Sequence, residues 1–162
     1  MNLEKYQQYS RIARGLEKAD LVLKDARIVN VFTEEIIRGD IAIQDGIIAG
    51  IGSFHGKEER DLAGRYVCPG FIDSHLHLES TLVTPAELVT VASRHGTTTF
   101  IVDPHESANV SGLAGVDYIL DQTENVKANV YVMMHSCVPA TSIDDNGCTL
   151  TAEDMATYLH NR

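Results

Sequence analysis

Residues 69–79 read Pro69-Gly70-Phe71-Ile72-Asp73-Ser74-His75-Leu76-His77-Leu78-Glu79. Apolar and polar residues alternate through most of this run, and a period of two is the pattern of a β-strand. On a strand, residues two apart share a face. Asp73, His75 and His77 therefore line up on one side, with Glu79 joining them if the strand runs on. Two neutral imidazoles on one face suit a divalent metal, and a neighbouring carboxylate fixes the tautomer of a ligating histidine. Asp73 is either such a partner or a plain turn acceptor, and spacing leaves both open. The plain alternative to a metal site is a pair of solvent-facing loop histidines, against which the alternation argues.

Downstream the chain alternates between strands and helices. Thr84 is placed as a helix N-cap, Pro85 at the first helical position, and Glu87 to complete a capping box. That helix carries Leu88, Val89 and Ala92, and Gly96 stops it. Thr98-Thr99-Phe100-Ile101-Val102 reads as a buried strand. A second helix presents Val116, Ile119, Leu120 and Thr123 on one face. Val130-Tyr131-Val132-Met133-Met134 is a third strand. Thr151-Ala152-Glu153-Asp154 opens a third helix, with Leu150 and Met155 placed for a hydrophobic staple. The order β-α-β-α-β-α is that of a parallel sheet with helical crossovers.

In an α/β barrel the site lies at the strand ends that face the βα-loops. Two further polar clusters fall there, Asp103-Pro104-His105-Glu106 and His135-Ser136-Cys137-Val138-Pro139. His105 and Glu106 are candidates for extra metal or substrate contacts; ordinary polar residues opening a helix are the plainer reading. Cys137 either lines a pocket or, more simply, is a small buried thiol. His55, His95 and His160 fall in turn and helix contexts expected at the surface.

Upstream, Leu3, Tyr6, Tyr9, Ile12, Ala13 and Leu16 recur at three- and four-residue spacing, which predicts an amphipathic helix; its apolar face caps a domain, meets a partner subunit or, as is commoner, packs on a core. From Ala19 to Gly52 short β-branched runs take over. Leu21-Val22-Leu23 and Arg27-Ile28-Val29-Asn30-Val31-Phe32 are strand candidates around Lys24-Asp25. Asp45-Gly46, between Ile41/Ile43 and Ile47-Ile48, is a hairpin signal because a type I′ turn needs positive φ. A small antiparallel sheet unit is expected. The predicted organisation is an N-terminal helix over 1–18, part of a β-sandwich over 19–66, and the start of a barrel over 67–162.

Composition narrows the function. The chain has 162 residues, 44% of them apolar, and a formal net charge of -10. Such acidity gives no electrostatic footprint for nucleic acid or for anionic lipid. The cysteines Cys68, Cys137 and Cys148 include no C-x-x-C, so neither a disulfide framework nor a zinc ribbon is supported. Reduced thiols in the cytoplasm are the expectation. No run approaches the ~20 apolar residues of a membrane span. The P-C-x-x-C element of one zinc deaminase design is absent.

Three blocks together resemble the adenine deaminase family of the amidohydrolase superfamily. They are Gly70-Phe71-Ile72-Asp73-Ser74-His75-Leu76-His77-Leu78-Glu79-Ser80, Val102-Asp103-Pro104-His105-Glu106, and Ser136-Cys137-Val138-Pro139-Ala140-Thr141. D-x-H-x-H by itself points only to the superfamily; the glutamate after the second histidine, D-P-H-E and S-C-V-P-A narrow it. The resemblance implies an α/β fold: a metal-dependent-hydrolase (β/α)8 barrel, here its first three βα units, preceded by a small β-sandwich unit and an N-terminal helix. It implies hydrolytic deamination of adenine, a small-molecule substrate, to hypoxanthine and ammonia in a possible homo-oligomer. The implied cofactor is a divalent metal, Mn2+ foremost with Fe2+ or Zn2+ as alternatives, held by His75 and His77. Glu79, His105 and Glu106 stand as additional metal or substrate contacts, and Asp73 as a partner behind the ligands. His135 departs from the family pattern, and no role transfers to it. The family's bridging carboxylate, later histidine ligands and barrel-end aspartate belong to later strands. The chain is therefore expected to carry the N-terminal part of the enzyme, without its catalytic base and inactive by itself. Alternatives are another amidohydrolase acting on a cyclic amide or amino-purine, and a non-catalytic module.

Overall fold

The computed structural model describes residues 2–135 and 137–159, which form two compact units meeting between Pro69 and Gly70. Among these residues no helix is long and apolar enough to cross a membrane. His160 and Ser136, both in the readings above, lie outside the described residues.

In the first unit, helix α1 (Leu3–Ala13) precedes strands β1 (Ala19–Asn30), β2 (Glu35–Gln44), β3 (Ile47–Gly52), β4 (Gly56–Asp61) and β5 (Tyr66–Val67). Asp45 and Gly46 turn β2 into β3 with φ of 50° and 75°, the two positive values that a type I′ turn requires. The two runs around Lys24-Asp25 form one strand, with an irregularity between Leu23 and Ala26 and Asp25 at φ 51°.

The segment from Ala19 to Gly52 forms the expected antiparallel unit, β1 with β2 and β2 with β3. Beyond it, β4 and β5 both join β1 in parallel and make the whole sheet mixed. Strand β4 reads Gly-Lys-Glu-Glu-Arg-Asp and has no apolar alternation; it is a charged edge strand, which discourages pairing with other chains. Helix α1 also buries far less than its periodicity predicts. Only Ile12 enters the core, beside Ala19, Val22, Ala42 and Phe54, while Leu3 and Tyr6 are 72% and 65% exposed.

One polar contact ties this unit together. The Lys24 ammonium donates to Asp40 at 2.5 Å and to the Phe54 carbonyl at 2.9 Å, and the Asp40 carboxylate also accepts from the Asp25 and Phe54 backbone N–H groups. Burial alone would raise the Asp40 carboxyl. Lys24 and the two N–H groups outweigh it and hold the carboxyl below the ordinary aspartate value. The bond from Asp40 holds Lys24 above the ordinary lysine value. The Asp40 contribution is thus present above the unfolded carboxyl's pKa and is lost as pH falls through the lower folded one. Asp40→Ala is expected to lower stability by about 3 kcal/mol, since it strands a charge and two N–H groups. Denaturant unfolding at neutral pH checks this, and the deficit relative to the unsubstituted protein should shrink in acid.

The second unit contains β6 (Phe71–Leu76), a 3-10 turn (Glu79–Thr81), α2 (Pro85–Arg94), β7 (Thr97–Val102), α3 (His105–Ser111), α4 (Leu113–Thr123), β8 (Asn129–Val132) and α5 (Ala152–Leu159). The strands run parallel in the order β6-β7-β8. Parity decides which face each residue serves. Leu76, Phe100, Val102, Val130 and Val132 pack with Leu78, Val89 and Ile119 beneath α2 and α4. Their neighbours Asp73, His75, Thr99, Ile101 and Tyr131 alternate with them, and on a strand alternate residues take opposite faces. Phe100 and Val132 accordingly face the helix layer.

Thr84 caps α2 with Pro85 at its first turn, but its side chain makes no capping bond, so the box with Glu87 does not form. The box forms instead at α5. The Thr151 hydroxyl accepts from the Asp154 N–H at 3.2 Å, and Asp154 Oδ2 accepts from the Thr151 N–H at 2.9 Å. The second helix of the sequence reading is α4, which carries Val116, Ile119, Leu120 and Thr123, and a further helix, α3, precedes it, separated from it at Gly112. That residue has φ 62° and ψ -137°, and a Cβ on it would lie 2.5 Å from Cys148 Sγ.

Candidate metal centre

The site forms where the strands of the second unit end. Strand β6 stops at Leu76, one residue before the span expected to be strand is complete, and His77 follows it directly. The two imidazoles still meet, with Nε2 atoms 3.1 Å apart and ring centroids 5.0 Å apart. Asp103 follows β7, and its N–H continues the ladder to the Leu76 carbonyl at 2.9 Å. His75, His77 and Asp103 each offer a donor atom within 4.8 Å of the others.

Glu79 and Glu106 form a second group with His77. Glu106 is in the first turn of α3, and Glu79 Oε1 accepts from the N–H groups of Glu106 (3.0 Å) and Ser107 (3.3 Å), a carboxylate held at a helix start. Ser80 Oγ donates to Glu106 Oε1 at 3.2 Å. Burial first, and then the neighbouring Glu106 carboxyl, push Glu79 above the ordinary glutamate value. Burial acts in the same sense on Glu106. The bond from Glu79, its own backbone N–H, His77 and Ser80 outweigh it, so Glu106 ionises more readily.

Three buried polar atoms here lack a hydrogen-bond partner: His77 Nδ1, Glu79 Oε2 and His135 Nε2. His77 Nδ1 lies 2.8 Å from Glu106 Oε2, close enough for an ion pair but off the line a hydrogen bond needs, so it counts as unsatisfied. Buried polar atoms are satisfied in most folded proteins, and orphans call for an explanation. Imidazoles and carboxylates left open toward one another are a donor set that fits a divalent cation of the zinc, manganese or iron type.

The remaining candidates are placed as follows. Asp73 accepts from the His75 backbone N–H at 3.3 Å, which is the geometry of a turn acceptor; no contact with an imidazole is recorded among the described residues. His105 opens α3, and its ring lies against His135, centroids 5.5 Å apart. His135 hydrogen-bonds Asp103 at 3.0 Å. Cys137 is exposed, not a buried thiol. His55 and His95 are exposed. Asp103 and His135 are the residues that sequence reasoning left without roles. Position would have found them, since each immediately follows a parallel strand or lies within a few residues of its end.

Residues 66–161 match the model of the amidohydrolase family. The chain is 55% identical over 161 residues to the adenine deaminase of Desulfitobacterium hafniense (strain Y51), covering 99% of this chain and 28% of that protein. It is 53% identical over 143 residues to the adenine deaminase of Clostridium acetobutylicum, covering 88% of this chain and 25% of that protein. It thus spans about a quarter of the length of the curated relatives it matches. Among solved structures, an N-acyl-D-glutamate deacylase from Bordetella bronchiseptica, complexed with zinc and a phosphonate inhibitor, superposes with a TM-score of 0.53. That match covers 73% of this chain and 30% of the deacylase at 24% identity, a likeness of fold.

Proposed function

The chain belongs to the amidohydrolase family, and from that footing we propose that it is part of a cytoplasmic, metal-dependent adenine deaminase that converts adenine to hypoxanthine and ammonia. The observation that carries this reading is the meeting of His75 and His77 at the end of β6, inside the segment that is about half identical to adenine deaminases.

The chemistry has a specific need. Carbon 6 of adenine is a weak electrophile and water a weak nucleophile. A divalent ion, manganese in our reading, would supply a nucleophile at neutral pH, because a bound ion of this kind can lower the pKa of water from 15.7 to about 7. His75 and His77 are the residues of this chain that would hold it. Asp103, with a donor atom within 4.8 Å of those of both imidazoles, would add negative charge beside a cation held there. Glu106 orients His77 through their 2.8 Å contact. Glu79 ties the start of α3 to the turn after β6 through the bond that it accepts from the Glu106 N–H.

The test is ammonia release by the full-length protein, loaded with manganese, from adenine, adenosine, guanine and dihydroorotate. Adenine is expected to react much faster than the other three. Equal or faster turnover of adenosine, guanine or dihydroorotate contradicts the reading.

A further inference from the structure

His135 stands three residues after β8, at a position where the chain departs from the family pattern, and its side chain is 2% exposed. Burying an imidazole costs stability unless both nitrogens find partners. Here one does. Nδ1 lies 3.0 Å from Asp103 Oδ1, and because a carboxylate only accepts, Nδ1 is the donor. Nε2 is buried and has no hydrogen-bond partner. An apolar side chain would fill the same place without stranding a nitrogen, so packing alone is a poor account of a histidine here. What the ring does that an apolar residue could not is donate to Asp103.

Asp103 is where that bond has its effect. The backbone of Asp103 is fixed, since its N–H donates to the Leu76 carbonyl at 2.9 Å. Its carboxylate accepts one hydrogen bond among the described residues, the one from His135. The same carboxylate offers a donor atom within 4.8 Å of those of His75 and His77. Its orientation therefore decides how much negative charge faces a cation beside that pair. The His135 ring is itself held, by burial and by an edge-to-face contact with His105, with centroids 5.5 Å apart and 78° between the ring planes. We propose that His135 is a positioning residue, which locks the Asp103 carboxylate beside His75 and His77 and so tightens the hold of that pair on its ion. Groups that hydrogen-bond from behind a metal site orient the charges in front of it, and their loss weakens metal binding. The proposal rests on the reading that His75 and His77 hold a divalent ion, and it gives a role to a residue that the family resemblance left without one.

The experiment strips the full-length protein of metal and titrates it with Mn2+, counting the free ion by electron paramagnetic resonance. His135→Leu is expected to bind Mn2+ about 10–100-fold more weakly than the unsubstituted protein. His135→Asn has a side-chain N–H the same number of bonds from the backbone as Nδ1, so it can still donate to Asp103 and is expected to restore most of the affinity. If His135→Leu does not fold, His135→Ala takes its place beside His135→Asn. Unchanged affinity in His135→Leu overturns the proposal, and so does His135→Asn binding as weakly as His135→Leu, because a role in packing alone gives no such rescue. His75→Ala separates this proposal from the reading beneath it. Loss of Mn2+ in His75→Ala with full affinity in His135→Leu overturns the positioning role alone. Full affinity in His75→Ala means that the pair does not hold the ion, and overturns both.

Discussion

His77→Ala, made in the full-length protein, is expected to remove the ion at the end of β6 and to lower adenine deamination on the order of 10³-fold or more. The size follows from what is lost. His77 Nε2 lies 3.1 Å from its counterpart on His75, and its Nδ1 lies 2.8 Å from Glu106, so one ring links both donor groups. Catalytic sites for such ions use about three protein ligands plus water, and removal of one leaves the ion too weakly held to stay. His75→Ala should act in the same direction. Fold stability should change little, because neither imidazole belongs to the apolar cluster under α2 and α4. Metal analysis and ammonia release check this together. A His77→Ala protein with normal metal content and activity within a few-fold of the parent would show that the ion is held elsewhere.

The 162-residue polypeptide made by itself is expected to show no deaminase activity with added manganese, and no sharp unfolding transition. Strands β6, β7 and β8 form an open parallel sheet, whereas a closed barrel takes eight strands and typically ~250 residues. Among the described residues β6 and β8 each leave one edge unpaired, which exposes a row of N–H and C=O groups. Parallel sheets are stable when covered on both faces. Here one face carries α2 and α4, while Phe71, Ile72 and Tyr131 remain exposed. Burial of one such side chain contributes about 1.5–3 kcal/mol. A whole domain is stable by only ~5–15 kcal/mol, so three left in water take away a large share. Calorimetry and an ammonia assay on the isolated polypeptide test this; cooperative melting with metal-dependent deamination would contradict it.

The sequence disclosed local signals whose physics is local. Asp45-Gly46 demands positive φ twice, and the hairpin is there. Period two through residues 71–77 brings His75 and His77 together. What stayed hidden depends on partners elsewhere in the chain. Strand β4 is made of charged residues and takes its conformation from pairing with β1, not from its own pattern. Helix α1 has an apolar stripe, yet only Ile12 finds a core to enter. The break at Gly112 reflects the approach of Cys148 from 36 residues on. The face served by Phe100 followed from α2 and α4 lying over one side of the sheet, which strand spacing cannot specify. The place of His135 near a strand end was legible, but its pairing with Asp103, 32 residues earlier in the chain, was not.

The central claim is that the end of β6 holds a divalent ion between His75 and His77. A crystal of the full-length protein grown with manganese, with diffraction recorded at the manganese absorption edge, addresses it most directly. The account expects an anomalous peak at coordination distance, about 2.0–2.3 Å, from one nitrogen of each imidazole. A well-ordered site at those residues with no such peak, or a peak away from both rings, would contradict it.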